Sequence, residues 1–112
     1  MSNENLKDEL AQLKRKAQHG DAEAQFQLSR YCYNGDMTVQ DIPKAIEWCQ
    51  KAAEQGHAEA QCILGCFYLT GNGVEKDPAK AAQWFQKAAD QGMEAAKQAL
   101  KELEEAEKQP QE

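Results

Sequence analysis

Between Ala58 and Leu69 apolar side chains recur at Ala60, Leu64 and Phe67 to Tyr68, a spacing of i, i+4 and i+7 to i+8 with polar residues between them. That period predicts a helix buried along one stripe. Thr70-Gly71-Asn72-Gly73 then supplies positions that tolerate positive φ and ends it. A second helix opens at Asp77-Pro78, an N-cap acid followed by proline at the first helical position, where its missing N–H costs nothing. It runs through Ala81, Trp84, Phe85 and Ala88 to Gly92, a helix-terminating glycine. The preceding stretch follows the same plan: Ala24, Leu28 and Tyr31, a break at Asn34-Gly35, then a helix from Asp41 to Gln55.

The two stretches repeat with a period of 36. Gly20, Gly56 and Gly92 fall in register, as do Ala17, Ala53 and Ala89, and residues 21–56 share 16 identities with residues 57–92. A fixed period of this length predicts a solenoid of stacked helix pairs. The ends read as half-unit caps. Leu6, Leu10, Leu13 and Ala17 form one stripe on a charged N-terminal helix over 4–19, in register with the second helix of an earlier unit. Ala96, Ala99, Leu100 and Leu103 form the stripe of a last helix over 93–106, in register with the first helix of a later unit. The expectation is one domain over 1–106, with repeats at 21–56 and 57–92, about six helices in all, and a disordered tail over 107–112.

Composition agrees with an all-α fold. Charged residues make up 29% of the 112-residue chain and aromatic residues only 7%, with alanine and glutamine abundant. A net charge of −6 and the lack of a basic, aromatic-interleaved patch argue against nucleic acid. No apolar run approaches a bilayer's thickness, and Met1 to Ala11 is polar where a secretory signal carries an apolar stretch, so no membrane partner and a cytoplasmic location are expected. Cys32, Cys49, Cys62 and Cys66 form no CxxC pair and are read as free thiols.

AEAQxxLG at Ala58 to Gly65, Tyr68, GNGV at Gly71 to Val74, Asp77, KAAxWFxKAA at Lys80 to Ala89 and Gln91-Gly92 resemble the Sel1-like repeat, a relative of the tetratricopeptide repeat. The resemblance covers about Ala17 to Ala99 and implies a short right-handed α-solenoid of antiparallel helix pairs that acts as an adaptor or inhibitor, a protein-protein interaction module with no cofactor. Bacterial origin is expected from the short array. Residues 21–56 depart from the pattern: Met37 replaces the second loop glycine, Cys32 the tyrosine and Cys49 the aromatic after Trp48. The loop is therefore expected to turn differently, and Cys32 and Cys49 to pack as small apolar residues where two rings are missing.

Catalysis needs a nucleophile beside a base or paired acids in a pocket. His19 and His57 lie near the turns between units in different registers, coupled in sequence to no cysteine or carboxylate, so they read as solvated turn residues and the chain as a non-enzyme. Cys62 and Cys66, at i and i+4, read as two partly exposed thiols on a groove wall. The alternative, a thiol or metal-binding protein, gives two soft ligands where a closed zinc site needs four. A third reading, a hydrolase, rests on analogy with a secreted branch that resembles this repeat and staples neighbouring helices with cysteines eight residues apart. Ala53 with Gln61 and Ala89 with Lys97 stand at the corresponding positions, so that pattern is absent.

The resemblance places the first helices on the concave face. Residues one turn off the shared framework are then expected to face a groove: Glu23, Phe26, Arg30, Tyr33 and Asn34 in the first unit, and Glu59, Cys62, Cys66, Leu69 and Thr70 in the second. Phe26, Tyr33, Cys62 and Leu69 would form an apolar strip with Arg30 as donor, suited to a peptide or partner helix. Phe26 has core packing as its competing fate, whereas Tyr33 and Leu69 are expected at the surface. Lys7, Lys14, Arg15 and Lys16 make the first helix basic, and Glu102, Glu104, Glu105 and Glu107 make the last one acidic, a polarity compatible with a monomer or weak self-association.

Overall fold

Each apolar stripe becomes one helix. The computed structural model describes residues 3–35 and 40–108. It contains α1 (Asn3–Gln18), α2 (Ala22–Asn34), α3 (Ile42–Glu54), α4 (Ala58–Thr70), α5 (Pro78–Asp90) and α6 (Glu94–Lys108), with no strand among the described residues. Consecutive helices pack in chain order, so the chain extends as a stack measuring 55 × 28 × 23 Å. None of the described helices is long and apolar enough to cross a membrane.

The junctions between units are three residues long because one residue serves two helices. At the end of α3 the Gly56 N–H donates to the Ala53 carbonyl and the His57 N–H to the Ala52 carbonyl, the paired bonds of a Schellman ending, with Gly56 at φ 94°. His57 is at the same time the N-cap of α4, its Nδ1 accepting from the Ala60 N–H at 3.1 Å. Asp21 does the same work one unit earlier, its carboxylate accepting from the Ala24 N–H at 2.9 Å. A helix end and a helix start that share a residue leave few orphan backbone groups, and this fixes the angle at which one unit meets the next.

Buried glutamines tie the units together with the same period. Gln25 donates to the Ala17 carbonyl at 3.0 Å and accepts from Gln55 at 2.8 Å. Gln61 donates to the Ala53 carbonyl at 3.1 Å and accepts from Gln91 at 3.0 Å. Each amide is buried yet bonded on both sides, so it costs little and fixes register in a seam otherwise made of alanine.

The apolar interior forms three clusters in succession along the stack. Phe26, Ile46, Cys49, Ala52, Leu64 and Phe67 form its middle, while Cys62, Ala81, Phe85, Ala88 and Ala96 form its C-terminal part. Leu10 and Leu13 of α1 cover Ala17, Ala24 and Leu28 at the other end. Cys32 and Cys49 are buried, at 8% and 0% exposure, in the slots that the second unit fills with Tyr68 and Phe85. Around Cys49 and Phe85 the backbone partner changes to match. A Cβ on Gly65 would sit 2.8 Å from the Phe85 ring, whereas the equivalent of Gly65 in the first unit is Ser29, whose hydroxyl donates to the Ala45 carbonyl at 2.6 Å. Large ring with glycine, or small thiol with serine, fills the same space in two ways.

Two expectations need correction. The last helix runs through Lys108 and includes Glu107, because LEEAEK is made of strong helix formers and nothing breaks it before Pro110. His57 is no solvated turn residue; its cap and its neighbours leave the side chain only 13% exposed. The different turn expected around Met37 and Thr38, the side chain of Leu6 and the end of the tail lie outside the described residues.

Candidate interaction groove

α2 and α4, the first helices of the two units, run side by side with an open groove of about 750 Å³ between them. α2 contributes Phe26, Ser29, Arg30, Tyr33 and Asn34; α4 contributes Glu59, Ile63, Cys66, Phe67 and Thr70, and Asn72 closes one end. Two aromatic contacts link the walls. The Phe26 and His57 rings lie 4.7 Å apart, and the Tyr33 and Phe67 rings 5.7 Å apart at an interplanar angle of 59°. Tyr33, at 39% exposure, and Ile63, at 41%, are the large apolar side chains left open to solvent among the described residues, and both face this groove.

The charged groups sit at defined places around that apolar floor. The Arg30 guanidinium carbon lies 6.0 Å from the Phe26 ring centroid. Glu23 lines a smaller adjoining recess of about 400 Å³ together with Arg30 and Glu59. Its carboxylate lies 2.6 Å from His57 Nε2 and 3.2 Å from the Gln27 amide. These hydrogen bonds, that to His57 first, hold the Glu23 carboxyl below its ordinary range. Since His57 Nδ1 accepts from the Ala60 N–H, Nε2 is the nitrogen that carries the proton toward Glu23. A histidine beside a carboxylate has the look of a catalytic pair, but both ring nitrogens are already engaged, Nδ1 in capping α4 and Nε2 in the contact to Glu23 of the other unit.

Seven of the ten residues expected at the groove line it: Phe26, Arg30, Tyr33, Asn34, Glu59, Cys66 and Thr70. Phe26 is also buried, at 5% exposure, so it serves as groove floor and core at once. Glu23 stands in the adjoining recess. Cys62 and Leu69 turn the other way. Cys62 is 8% exposed and packs with Phe85 and Ala96, and Leu69 lies half-buried against the same cluster. Ile63, Phe67, Ser29 and Asn72 take their place in the lining.

The thiols give no ligand set. Cys62 is buried and Cys66 exposed, and among the described residues no three His, Cys, Asp or Glu side chains gather in a group able to hold a metal. Burial pushes both thiols above their ordinary range, and pushes Cys49 up to about 12. None is poised as a thiolate near neutral pH.

The family model of the Sel1 repeat matches the chain twice, at residues 22–57 and 58–93. The chain belongs to the Sel1 repeat family. These matched units are the helix pairs α2–α3 and α4–α5, phased one residue later than the period read from the sequence. Solved structures agree. A Sel1 repeat protein from Oxalobacter formigenes is 42% identical, with 82% of this chain and 69% of that one covered and a TM-score of 0.78. The protective antigen c5321 of uropathogenic Escherichia coli strains, which displays an SLR fold, is 43% identical at a TM-score of 0.78. The match to c5321 covers 81% of this chain but only 20% of the antigen's length. Cysteine rich protein B of Helicobacter pylori is 25% identical, with 89% and 73% covered and a TM-score of 0.80. No curated protein matches the chain. Sel1 repeats are generally protein-interaction modules, and the fold is typically a scaffold without catalysis. In this Sel1 repeat chain, Ala53 and Gln61 approach closely, and the Gln61 amide bonds the Ala53 carbonyl at 3.1 Å. A hydrogen bond thus joins neighbouring helices at this position.

Proposed function

We propose that this Sel1 repeat chain is a bacterial adaptor or inhibitor that holds a partner protein or peptide in the groove between α2 and α4. One observation carries the reading. Tyr33 and Ile63 stand exposed on facing helices at a single groove, with Phe26 and Phe67 beneath them. Large apolar groups left open together, in a chain that otherwise buries its apolar stripes, mark a surface that another molecule covers. Repetition supports the same reading from the other direction: framework positions recur between units, whereas Phe26, Arg30, Tyr33 and Ile63 have different residues one period away.

The test is affinity capture from the native organism with wild type and with Tyr33→Ala/Ile63→Ala. The double variant is expected to keep wild-type helicity, since both side chains are exposed, and to lose its partner. Retention of every captured partner by a folded double variant would sink the reading. A cytoplasmic setting is part of the proposal, supported by four unpaired cysteines, and cell fractionation checks it.

A further inference from the structure

The charges around the groove narrow the chemistry of its occupant, an inference that rests on the groove reading above. Arg30 is the single basic side chain lining either the groove or the adjoining recess. Among the described residues it makes no ion pair. The acid on its own helix, Glu23, is turned to other partners, His57 at 2.6 Å and Gln27 at 3.2 Å. Glu59, on the facing helix, likewise forms no ion pair among the described residues. Among the described residues the groove therefore presents one positive charge on α2 and one negative charge on α4, each without an ion-pair partner, beside an apolar floor.

We propose that the groove takes an amphipathic segment of a partner protein that sets a carboxylate against Arg30, a large apolar side chain on Tyr33 and Ile63, and a basic residue against Glu59. Covering the groove removes water from both charges, and a charge left unpaired under a partner weakens binding more than a satisfied pair strengthens it. An uncharged apolar segment leaves both unmatched. A wholly acidic segment meets Glu59 and a chain of net charge −6, and a wholly basic one meets Arg30. Opposite charges on opposite walls also set the direction in which the segment lies, because reversal puts like against like. The His57–Glu23 contact has a part in this: it holds toward His57 the carboxylate that shares the recess with Arg30.

A randomised peptide library displayed on phage, selected on wild type, Arg30→Glu and Glu59→Lys, tests the proposal. Both variants are first checked for wild-type helicity by circular dichroism. Wild type is expected to select peptides that place an acidic residue beside a large apolar one, with a basic residue on the other side. Selection on Arg30→Glu is expected to exchange the acidic preference for a basic one, and selection on Glu59→Lys to exchange the basic preference for an acidic one. A synthetic copy of a selected peptide is expected to bind Arg30→Glu about tenfold more weakly or worse, and Arg30→Lys nearly as well as wild type. If selected peptides depend on Tyr33 and Ile63 but show no acidic preference, or bind Arg30→Glu unchanged, the charge proposal is wrong and the groove reading stands. If no peptide emerges, or those that do bind Tyr33→Ala/Ile63→Ala as well as wild type, the groove reading fails and takes the charge proposal with it.

Discussion

The two repeat units share their helix ends, their buried glutamines and their alanine seam, yet they differ at nearly every residue that touches solvent on the first helix and at several packing slots in the core, one of them a matched pair. In the first unit Cys49 lies beneath Ser29, and in the second Phe85 lies against Gly65. A side chain added at Gly65 alone would meet the Phe85 ring. The comparison teaches that this scaffold tolerates substitution in matched sets inside, while outside it varies residue by residue, as expected if the outside is where partners are chosen.

Importing half a pair into one unit has the largest expected effect. Phe85→Cys leaves a ring-sized space under Gly65 and is expected to cost about 3–4 kcal/mol, close to the usual range for losing a buried aromatic ring. Gly65→Ser alone drives a side chain into the Phe85 ring and is expected to cost about 1–3 kcal/mol. The double variant, which transplants the first unit's pair whole, is expected to be more stable than the sum of the two single effects predicts. Urea unfolding of the four proteins measures the coupling. Strict additivity would show that the two solutions are unrelated.

A second test uses a group that only the first unit possesses at this slot. Burial pushes the Cys49 thiol up to about 12, against an ordinary value near 9.0. Its neutral form is favoured in the fold, so above pH 9 the unfolded chain binds fewer protons than the folded one and stability falls as pH rises from 9 toward 12. By about pH 11 the loss amounts to about 2–3 kcal/mol. Cys49→Ala is expected to flatten this part of the pH profile, whereas Cys66→Ala, at an exposed thiol, changes it less. Parallel alkaline profiles for wild type and Cys49→Ala would contradict the assignment.

How far the sequence could be read follows from the same comparison. Repetition exposes anything that recurs, so the period, the six helices, the helix-ending glycines and the N-cap acids of α3 and α5 could be placed from residue pattern alone. The groove was legible on α2 and misplaced on part of α4 for a geometric reason. Residues carried forward by one period keep the same edge of the helix. On α2 that edge, with Phe26 and Tyr33, faces α4; on α4 the equivalent edge, with Cys62 and Leu69, faces α6 and is covered by it. The wall that α4 offers to α2 is its opposite edge, Glu59, Ile63 and Phe67, whose counterparts Gln27 and Tyr31 line the small recess against α1. A signal was present: Ile63 is an isolated β-branched residue off the framework stripe. The His57 role was hidden because its partners, Glu23 and Phe26, are 34 and 31 residues away and nothing recurs at that position, where the two units and the C-terminal cap carry Asp21, His57 and Met93.

His57 gives a smaller effect. His57→Ala removes the cap of α4 and the contact to Glu23 together, and is expected to cost about 1 kcal/mol. His57→Asn keeps an acceptor for the Ala60 N–H without the ring, and is expected to recover most of that stability. It does not restore the hold on Glu23, so the two variants separate the cap from the latch. If Glu23 is released, Arg30 gains an internal carboxylate, and groove ligands that depend on Arg30 are expected to weaken in both variants even where stability is regained. Binding that tracks stability, and not the presence of the imidazole, would show that His57 acts through the helix alone.

The smallest expected change in stability is the most informative about the outer surface. Ile63→Gln places on α4 the residue that α2 carries at the equivalent position, Gln27. Ile63 is 41% exposed, so removing its apolar surface is expected to change the unfolding free energy, measured in urea, by no more than about 0.5 kcal/mol in either direction. The groove nevertheless loses one of its two open apolar anchors, and capture of a partner is expected to drop by about tenfold, the size of a well-covered contact at an interface. Exposure thus predicts opposite rankings for folding and for binding at one residue. A variant that is measurably destabilised but binds as wild type would mean that Ile63 belongs to the scaffold, and that the side of α4 facing α2 is framework in both units.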